Sequence, residues 1–203
     1  MNIRETDRPT EAIRSRILDA AEERFRTYGY NKTTMAEIAT DVGMSAANLY
    51  RYFNNKQDLA AACASRCMGA RSQILREAIR QPGLSASGQL RAFVRGTLQY
   101  SWDNTNKQPK INELVATIAS QRQDIVHEKI QEQTALLAEI LAYGNQSGEF
   151  EVDDVIRTAR ALYATLTLFE VPLFMSLYEL EEFERLAQDV VALLIKGLEK
   201  RTH

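Results

Sequence analysis

Cysteine is scarce in this chain, with two in 203 residues. Cys63 and Cys67 lie four apart, so on a helix they share a face with Leu59, Ala70 and Ile74. Side chains one turn apart on one helix are badly placed for a disulfide. A disulfide-stapled scaffold is thereby excluded, and the count fits a reducing cytoplasm. No histidine lies near the pair in sequence, so it reads as small core side chains rather than metal ligands; no metal or other cofactor is expected. Long apolar runs are missing too. None approaches the ~18 residues of a membrane span, and residues 1–10, MNIRETDRPT, hold no apolar segment of the kind a signal peptide needs. Charge of one sign is not in excess, since the net is −2. That excludes a protein that coats nucleic acid indiscriminately. Residues 1–56 carry nine Lys/Arg against eight Asp/Glu, a net of +1, so any basic character is local. Alternating strand patterns, internal repeats, phosphate loops, nucleophile elbows and HExxH pairs are absent, which leaves no enzyme signature.

What is present is helix after helix, organised around residues 33–56. Thr34 and Glu37 have the spacing of a capping box. Met35, Ile38, Ala39 and Val42 follow at i, i+3, i+4 and i+7 as one apolar face. Gly43 falls where a left-handed residue ends a helix, and Ser45 restarts one as N-cap. Met44 and Leu49 are spaced for a hydrophobic staple, and Leu49 and Phe53 share the inner face of the second helix. Ala46, Ala47, Asn48, Tyr50, Arg51 and Tyr52 are left on or near its outer face. From Val42 to Lys56 there is no acidic residue. Two helices and a tight turn make a helix-turn-helix whose second helix suits a DNA major groove. Asn pairs bidentately with adenine and Arg with guanine, while Tyr hydroxyls and Lys suit phosphates. Two small alanines let the backbone approach the bases. A Gly turn between helices, taken alone, fits a plain αα-corner equally well.

The run TTMAEIATDVGMSAANLYRYFNNKQDL goes further. Its Thr-Thr start, Ile-Ala pair, Gly-hydrophobic-Ser turn, Leu-Tyr-x-Tyr-Phe and following Lys closely resemble the N-terminal signature of TetR/AcrR-type transcriptional regulators. The close match covers about residues 13–59. Position 46, often basic in that family, is Ala here. The resemblance implies contacts to double-stranded DNA from Thr33, Thr34, Ser45, Ala46, Ala47, Asn48, Tyr50, Arg51, Tyr52 and Lys56. It also implies an inverted-repeat operator read by a homodimer, a small-molecule effector and no membrane association.

Along the rest of the chain, Arg4 and Arg8 form a short arm that either grazes DNA or is a polar tail. Pro9 suits the start of the first helix, whose stripe is Ile13, Ile17, Ala21, Phe25 and Tyr28, with Gly29 as its end. A helix capped by Asn55 runs to about Arg80 and is broken by Gln81-Pro82-Gly83. Leu90, Phe93, Val94 and Leu98 stripe the next, before a loop over Asp103-Asn104-Thr105-Asn106. Pro109 opens a helix carrying Ile111, Leu114, Val115 and Ile118. A long stretch with Val126, Ile130, Leu137 and Leu141 closes at residues 144–148. Asp153 or Asp154 caps a helix apolar on nearly every side from Ala159 to Phe174, with a break at Pro172. A last helix carries Phe183, Leu186, Ala187, Val190, Leu193, Leu194, Gly197 and Leu198.

Helices apolar all round need cover on several sides. Either the chain's own core supplies it or a second subunit does; the resemblance implies a four-helix dimer interface using Leu166, Phe183, Leu186, Val190, Leu194 and Leu198. Aromatic and apolar residues of the central helices are candidates for a ligand pocket, namely Phe93, Tyr100, Trp102, Ile118, His127, Tyr163, Phe169 and Phe174, each of them also explicable as plain core. The expectation is an all-α protein of about nine helices. A three-helix DNA-binding head at 1–56 precedes a helical ligand-binding and dimerisation domain at 57–203, with helix 57–80 connecting them. The function expected is that of a cytoplasmic repressor released from DNA by a small apolar or aromatic ligand. An adaptor that has lost DNA binding is the alternative, and Ala46 is its only sign.

Overall fold

A computed structural model describes residues 7–105 and 110–200, with side chains from residue 10 and excepting those of 105 and 111. Arg4, Asn106, Pro109 and His203, and the side chain of Arg8, lie outside the described residues. Among those described, the chain forms ten α-helices and one 3-10 turn, against about nine expected, and no strand. They are α1 (Asp7–Tyr28), α2 (Met35–Asp41), α3 (Ala46–Leu49), α4 (Lys56–Ile79), α5 (Ala86–Thr105), α6 (Ile111–Gln121), α7 (Gln123–Ser147), α8 (Val155–Leu166), α9 (Pro172–Met175) and α10 (Leu180–Leu198). The 3-10 turn, Thr167–Phe169, lies between α8 and α9. The chain divides into two compact units, residues 1–67 with 108–125, and residues 68–107 with 126–203.

The first unit is built on the stripe Ile17, Ala21 and Phe25 of α1, all fully buried. Tyr28, expected to continue that stripe, is 54% exposed, because α1 is ending and its last turn faces solvent. Met35, Ile38 and Ala39 of α2, Leu49 of α3 and Leu59, Ala60 and Cys63 of α4 complete the core. Burial pushes the Cys63 thiol up, so the buried cysteine behaves as a small hydrophobe. Leu114 and Ile118 of α6 are buried, and α6 packs on α1.

The second unit has one continuous core drawn from α4, α5, α7, α8 and α10. The buried positions of α4 in this unit run through Arg71, Ser72, Leu75 and Ile79. Ala70 and Ile74 lie on its exposed side, contrary to the expected face. Asp103 and Asn104, expected in a loop, are the last turn of α5. The N-terminus of α5 donates from Ala86 N and Ser87 N to Glu149 at 2.7 and 3.0 Å. Burial raises the Glu149 carboxyl, but these donors outweigh it and hold the group below its ordinary value. Asp154 caps α8 by accepting from Arg157 N at 2.9 Å. The break at Pro172 is more complete than a kink. α8 stops at Leu166, and Pro172 takes the first position of the separate α9, where its missing N–H is no loss.

Gly144, expected in a closing loop, is instead buried inside α7, and only Gly148 (φ 76°) turns the chain. A Cβ at Gly144 would stand 2.1 Å from Cδ2 of the buried Phe150 ring. Gly144→Ala gains about 1 kcal/mol of helix propensity, but the overpacking costs about 1–3 kcal/mol and more where the neighbour cannot yield. A lowered urea midpoint with unchanged slope is expected; an unchanged or raised midpoint would show that Phe150 moves aside freely.

Candidate nucleic-acid interface

The turn between α2 and α3 is specified by hydrogen bonds at both helix ends. Thr34 Oγ1 accepts from Glu37 N at 3.3 Å and Thr34 N donates to Glu37 Oε2 at 2.9 Å, so the capping box is formed. At the other end of α2, Met44 N reaches Ala39 O at 2.9 Å and Gly43 N reaches Thr40 O at 3.1 Å. That is a Schellman motif, and it needs the positive φ of 71° that Gly43 supplies. Ser45 then caps α3 by accepting from Asn48 N at 3.2 Å. After Leu49 the chain keeps turning, with Tyr52 N on Leu49 O at 2.9 Å and Phe53 N on Leu49 O at 3.2 Å. Leu49 is fully buried and Phe53 is 4% exposed, so these two side chains fix which face of the segment looks outward.

Arginines of α1 hold this segment from behind. Arg14 Nη1 donates to Tyr52 O at 2.7 Å, with its guanidinium 4.4 Å over the Phe53 ring. Arg16 Nη2 donates to Val42 O at 3.2 Å, satisfying a carbonyl at the end of α2. Arg24 forks onto Asp41, with Nη2 to Oδ1 at 2.9 Å, and lies 3.5 Å from Glu37. Its hydrogen bond and charge hold the Asp41 carboxyl below the usual range.

The outward face carries Ala47, Tyr50 and Arg51 exposed and Ala46, Asn48 and Tyr52 half-buried. Tyr50 is 50% exposed. Thr34 and Ser45 are exposed too, but each hydroxyl is engaged in its cap. Two of the residues expected to contact DNA also bond within the chain. Thr33 is 1% exposed and donates to Gly29 O at 2.8 Å, closing the end of α1. Lys56 is half-buried: Nζ donates to Tyr30 O and Thr33 O, both at 2.9 Å, and sits 4.3 Å over the Tyr30 ring. The long stem of a residue at the start of α4 reaches back to carbonyls that no helix satisfies, so two of its three donors fasten the turn after α1. The sequence pattern missed Arg14 and Arg16, because their partners lie 38 and 26 residues away and no local spacing marks them.

The other expected sites are less gathered. Phe93 and Phe169 are buried in the core of the second unit, and Trp102, Tyr163 and Phe174 pack partly buried against it. Tyr100 is half-buried, His127 is exposed on α7, and Ile118 is a core residue of the other unit. A groove of about 550 Å³ between α5 and α10, bordered by Ala78, Leu84, Leu98, Ala187 and Val191, uses none of these residues. Of the expected dimer positions, Leu166, Phe183 and Leu198 are buried in the chain's own core. Leu186, Val190 and Leu194 are half-buried, and Leu193 beside them is 70% exposed.

Residues 17–63 match the family model for bacterial regulatory proteins of the tetR family, and residues 86–191 match that for the tetracyclin repressor-like C-terminal domain. The "Probable HTH-type transcriptional regulator ArpR" of Pseudomonas putida is 26% identical over 172 residues, 80% of each chain. A solved protein from Mesorhizobium loti MAFF303099, described as a putative TetR-family transcriptional regulator, superposes with TM-score 0.76 at 20% identity, covering 92% of this chain and 96% of that one. The transcriptional regulator FadR from Bacillus subtilis, solved in complex with stearoyl-CoA, superposes with TM-score 0.68 at 22% identity over 91% of this chain and 99% of its own.

Asn48 and Arg51 are the outward side chains with bidentate base-reading chemistry, and the hydrogen bonds around α3 leave both side-chain termini uncommitted among the described residues. Arg51→Ala is expected to relax preference at one base pair per half-site, at about 1–3 kcal/mol per lost bidentate contact. Selection from randomised DNA checks it; an identical consensus for variant and parent would remove Arg51 from direct readout.

Proposed function

This chain belongs to the tetR family of bacterial regulatory proteins, which are DNA-binding transcriptional regulators, and from that premise we propose a homodimeric repressor that leaves an inverted-repeat operator when a small apolar effector binds its helical body. The DNA-binding domain is taken as residues 1–56 and the regulatory domain as 57–203, with α4 joining them. The carrying observation is the uncharged-to-basic face of residues 46–52, presented on a segment whose backbone is capped, clamped and buried on its other side. Asn48 and Arg51 would read bases, and the Tyr50 and Tyr52 hydroxyls would meet phosphates. Such a regulator works on cytoplasmic DNA.

Dimer formation is supported by α10. Its buried side, Phe183, Ala187, Val191, Ile195 and Leu198, is satisfied within the chain. A second apolar row, Leu186, Val190, Leu193 and Leu194, is left half-buried to exposed, too apolar for a face kept in water. A two-fold interface there would pair each row with its copy and set the half-sites as an inverted repeat.

Effector control is supported by the half-buried aromatics of the second unit and by the bound ligand of FadR. α6, joined at both chain ends to helices of that unit, carries Glu113 to the turn before α2. Its Oε2 accepts from Asn31 N at 3.3 Å, and its carboxylate packs where Gly29 has no Cβ. A shift of α6 would therefore reach the DNA-binding residues. An effector moves that equilibrium only by its differential affinity for the two states; about 1–3 kcal/mol of coupling gives roughly 5–150-fold in operator affinity.

Leu193→Glu puts a charge where a lone subunit exposes the side chain, so the subunit's fold is spared while the interface is not. The variant is expected to be a folded monomer in light scattering with operator binding lost. A variant that dimerises like its parent, or a parent that is monomeric at micromolar concentration, would contradict the α10 interface.

A further inference from the structure

A charged cluster is buried inside the second unit. Arg71 of α4 and Glu170, just after the 3-10 turn, have side chains only 6% and 4% exposed, with Nη1 3.2 Å from Oε1. Lys129 of α7 pairs with the same carboxylate, and the Tyr163 hydroxyl donates to it at 3.3 Å. Burial raises the Glu170 carboxyl, but Arg71 and Lys129 outweigh that and hold it below the ordinary value; the group is therefore ionised at neutral pH. Arg71 and Lys129 thus bring two cations to one buried carboxylate, Arg71 almost fully buried and Lys129 21% exposed. Burying charge is costly unless it is paired and hydrogen-bonded.

The pairing is incomplete on one side. Glu170 engages Arg71 through Nη1, while Nε and Nη2 are buried without a hydrogen-bond partner. These two atoms form one edge of the guanidinium, the edge that takes a planar oxyanion through two parallel bonds. Thr97 Oγ1 of α5 and Thr134 Oγ1 and Gln133 Oε1 of α7 are also buried and unpartnered. Gln133 stands one turn from Lys129 on α7, and α5 packs against the 3-10 turn that leads into Glu170. Four of the five unpartnered atoms can donate and one only accepts, so this surplus calls for oxygen acceptors. Apolar and aromatic core surrounds the cluster's helices, with Trp102, Tyr163 and Phe174 packed at its margin.

We infer that Arg71 receives the anionic group of the effector, a carboxylate or phosphate carried on an apolar body, through Nε and Nη2. The inference rests on the ligand-responsive reading above and narrows its ligand class from apolar to amphipathic anion. Glu170 and Lys129 position the guanidinium.

The test uses the full-length protein with octanoate, 4-phenylbutyrate and octyl phosphate, each compared with its neutral alcohol, octanol or 4-phenylbutanol. Melting temperature and the emission of Trp102, the sole tryptophan, report binding. At least one anion is expected to bind about ten- to a hundredfold more tightly than its alcohol, the range of a charge-assisted hydrogen bond. The carboxylate and phosphate arms tell the two anion sources apart. Arg71→Met is expected to bring anion and alcohol to equal affinity, and Arg71→Lys to keep part of the preference. Equal binding of anion and alcohol by the parent, which needs no variant to fold, overturns the inference. So does the absence of binding by every anion, or a preference that survives in Arg71→Met. Repeating the titration with saturating operator separates this inference from the repressor reading. Arg71-dependent anion binding that operator DNA leaves unchanged upholds the site and removes its role as the switch; intact operator binding without anion binding removes the site alone.

Discussion

Four residues cannot hold an α-helix in water, because the costly first turn is never repaid by propagation. α3, Ala46–Leu49, is four residues long, so everything it presents to DNA depends on what holds it. Ser45 closes its N-terminus, the Schellman turn at Gly43 fixes its approach, and fully buried Leu49 and nearly buried Phe53 anchor its inner face. Arg14 and Arg16 reach from α1 to the carbonyls of Tyr52 and Val42, and Lys56 ties the start of α4 to the turn after α1. Each cation is spent on a backbone oxygen. That leaves the mixed amide, phenol and guanidinium face of the segment rigidly placed, which is what bidentate base reading requires.

In the second unit the dominant constraint is the cost of buried charge. Apolar replacements for a buried ion pair are often neutral or stabilising. Arg71, Glu170 and Lys129 are thus a poor way to stabilise a helical core, and the unused edge of Arg71 makes them poorer still. A group retained at such expense is explained by what it binds. The apolar core around it, from Phe93 to Phe183, supplies the stability.

Local signals were legible in the sequence, and long-range ones were not. The capping box at Thr34 and Glu37, the Gly43 turn, the Ser45 cap and the buried stripe of α1 each follow from residues within a few positions of one another, and the all-α architecture followed from them. Lys56 sits inside the same motif, yet its amine answers to the Tyr30 and Thr33 carbonyls, which only tertiary folding brings near. Apolar periodicity marks a face as buried without saying by whom, so it could not separate Phe183, covered by its own chain, from Leu193, which is not. Arg71 did carry a signal: it continues the i, i+4 row of Leu59, Cys63 and Cys67 toward Leu75 and Ile79. A charge in an apolar stripe is rarely placed there for packing alone.

The central claim is that residues 46–52, clamped from α1 and α4, read an operator as a two-fold dimer. Hydroxyl-radical footprinting of the DNA upstream of the protein's own gene tests it most directly. Two protected patches about one helical turn or a multiple of it apart, on an inverted repeat, are the expected result. Protection that spreads evenly along the DNA whatever its sequence, or a single unpaired patch, would contradict it.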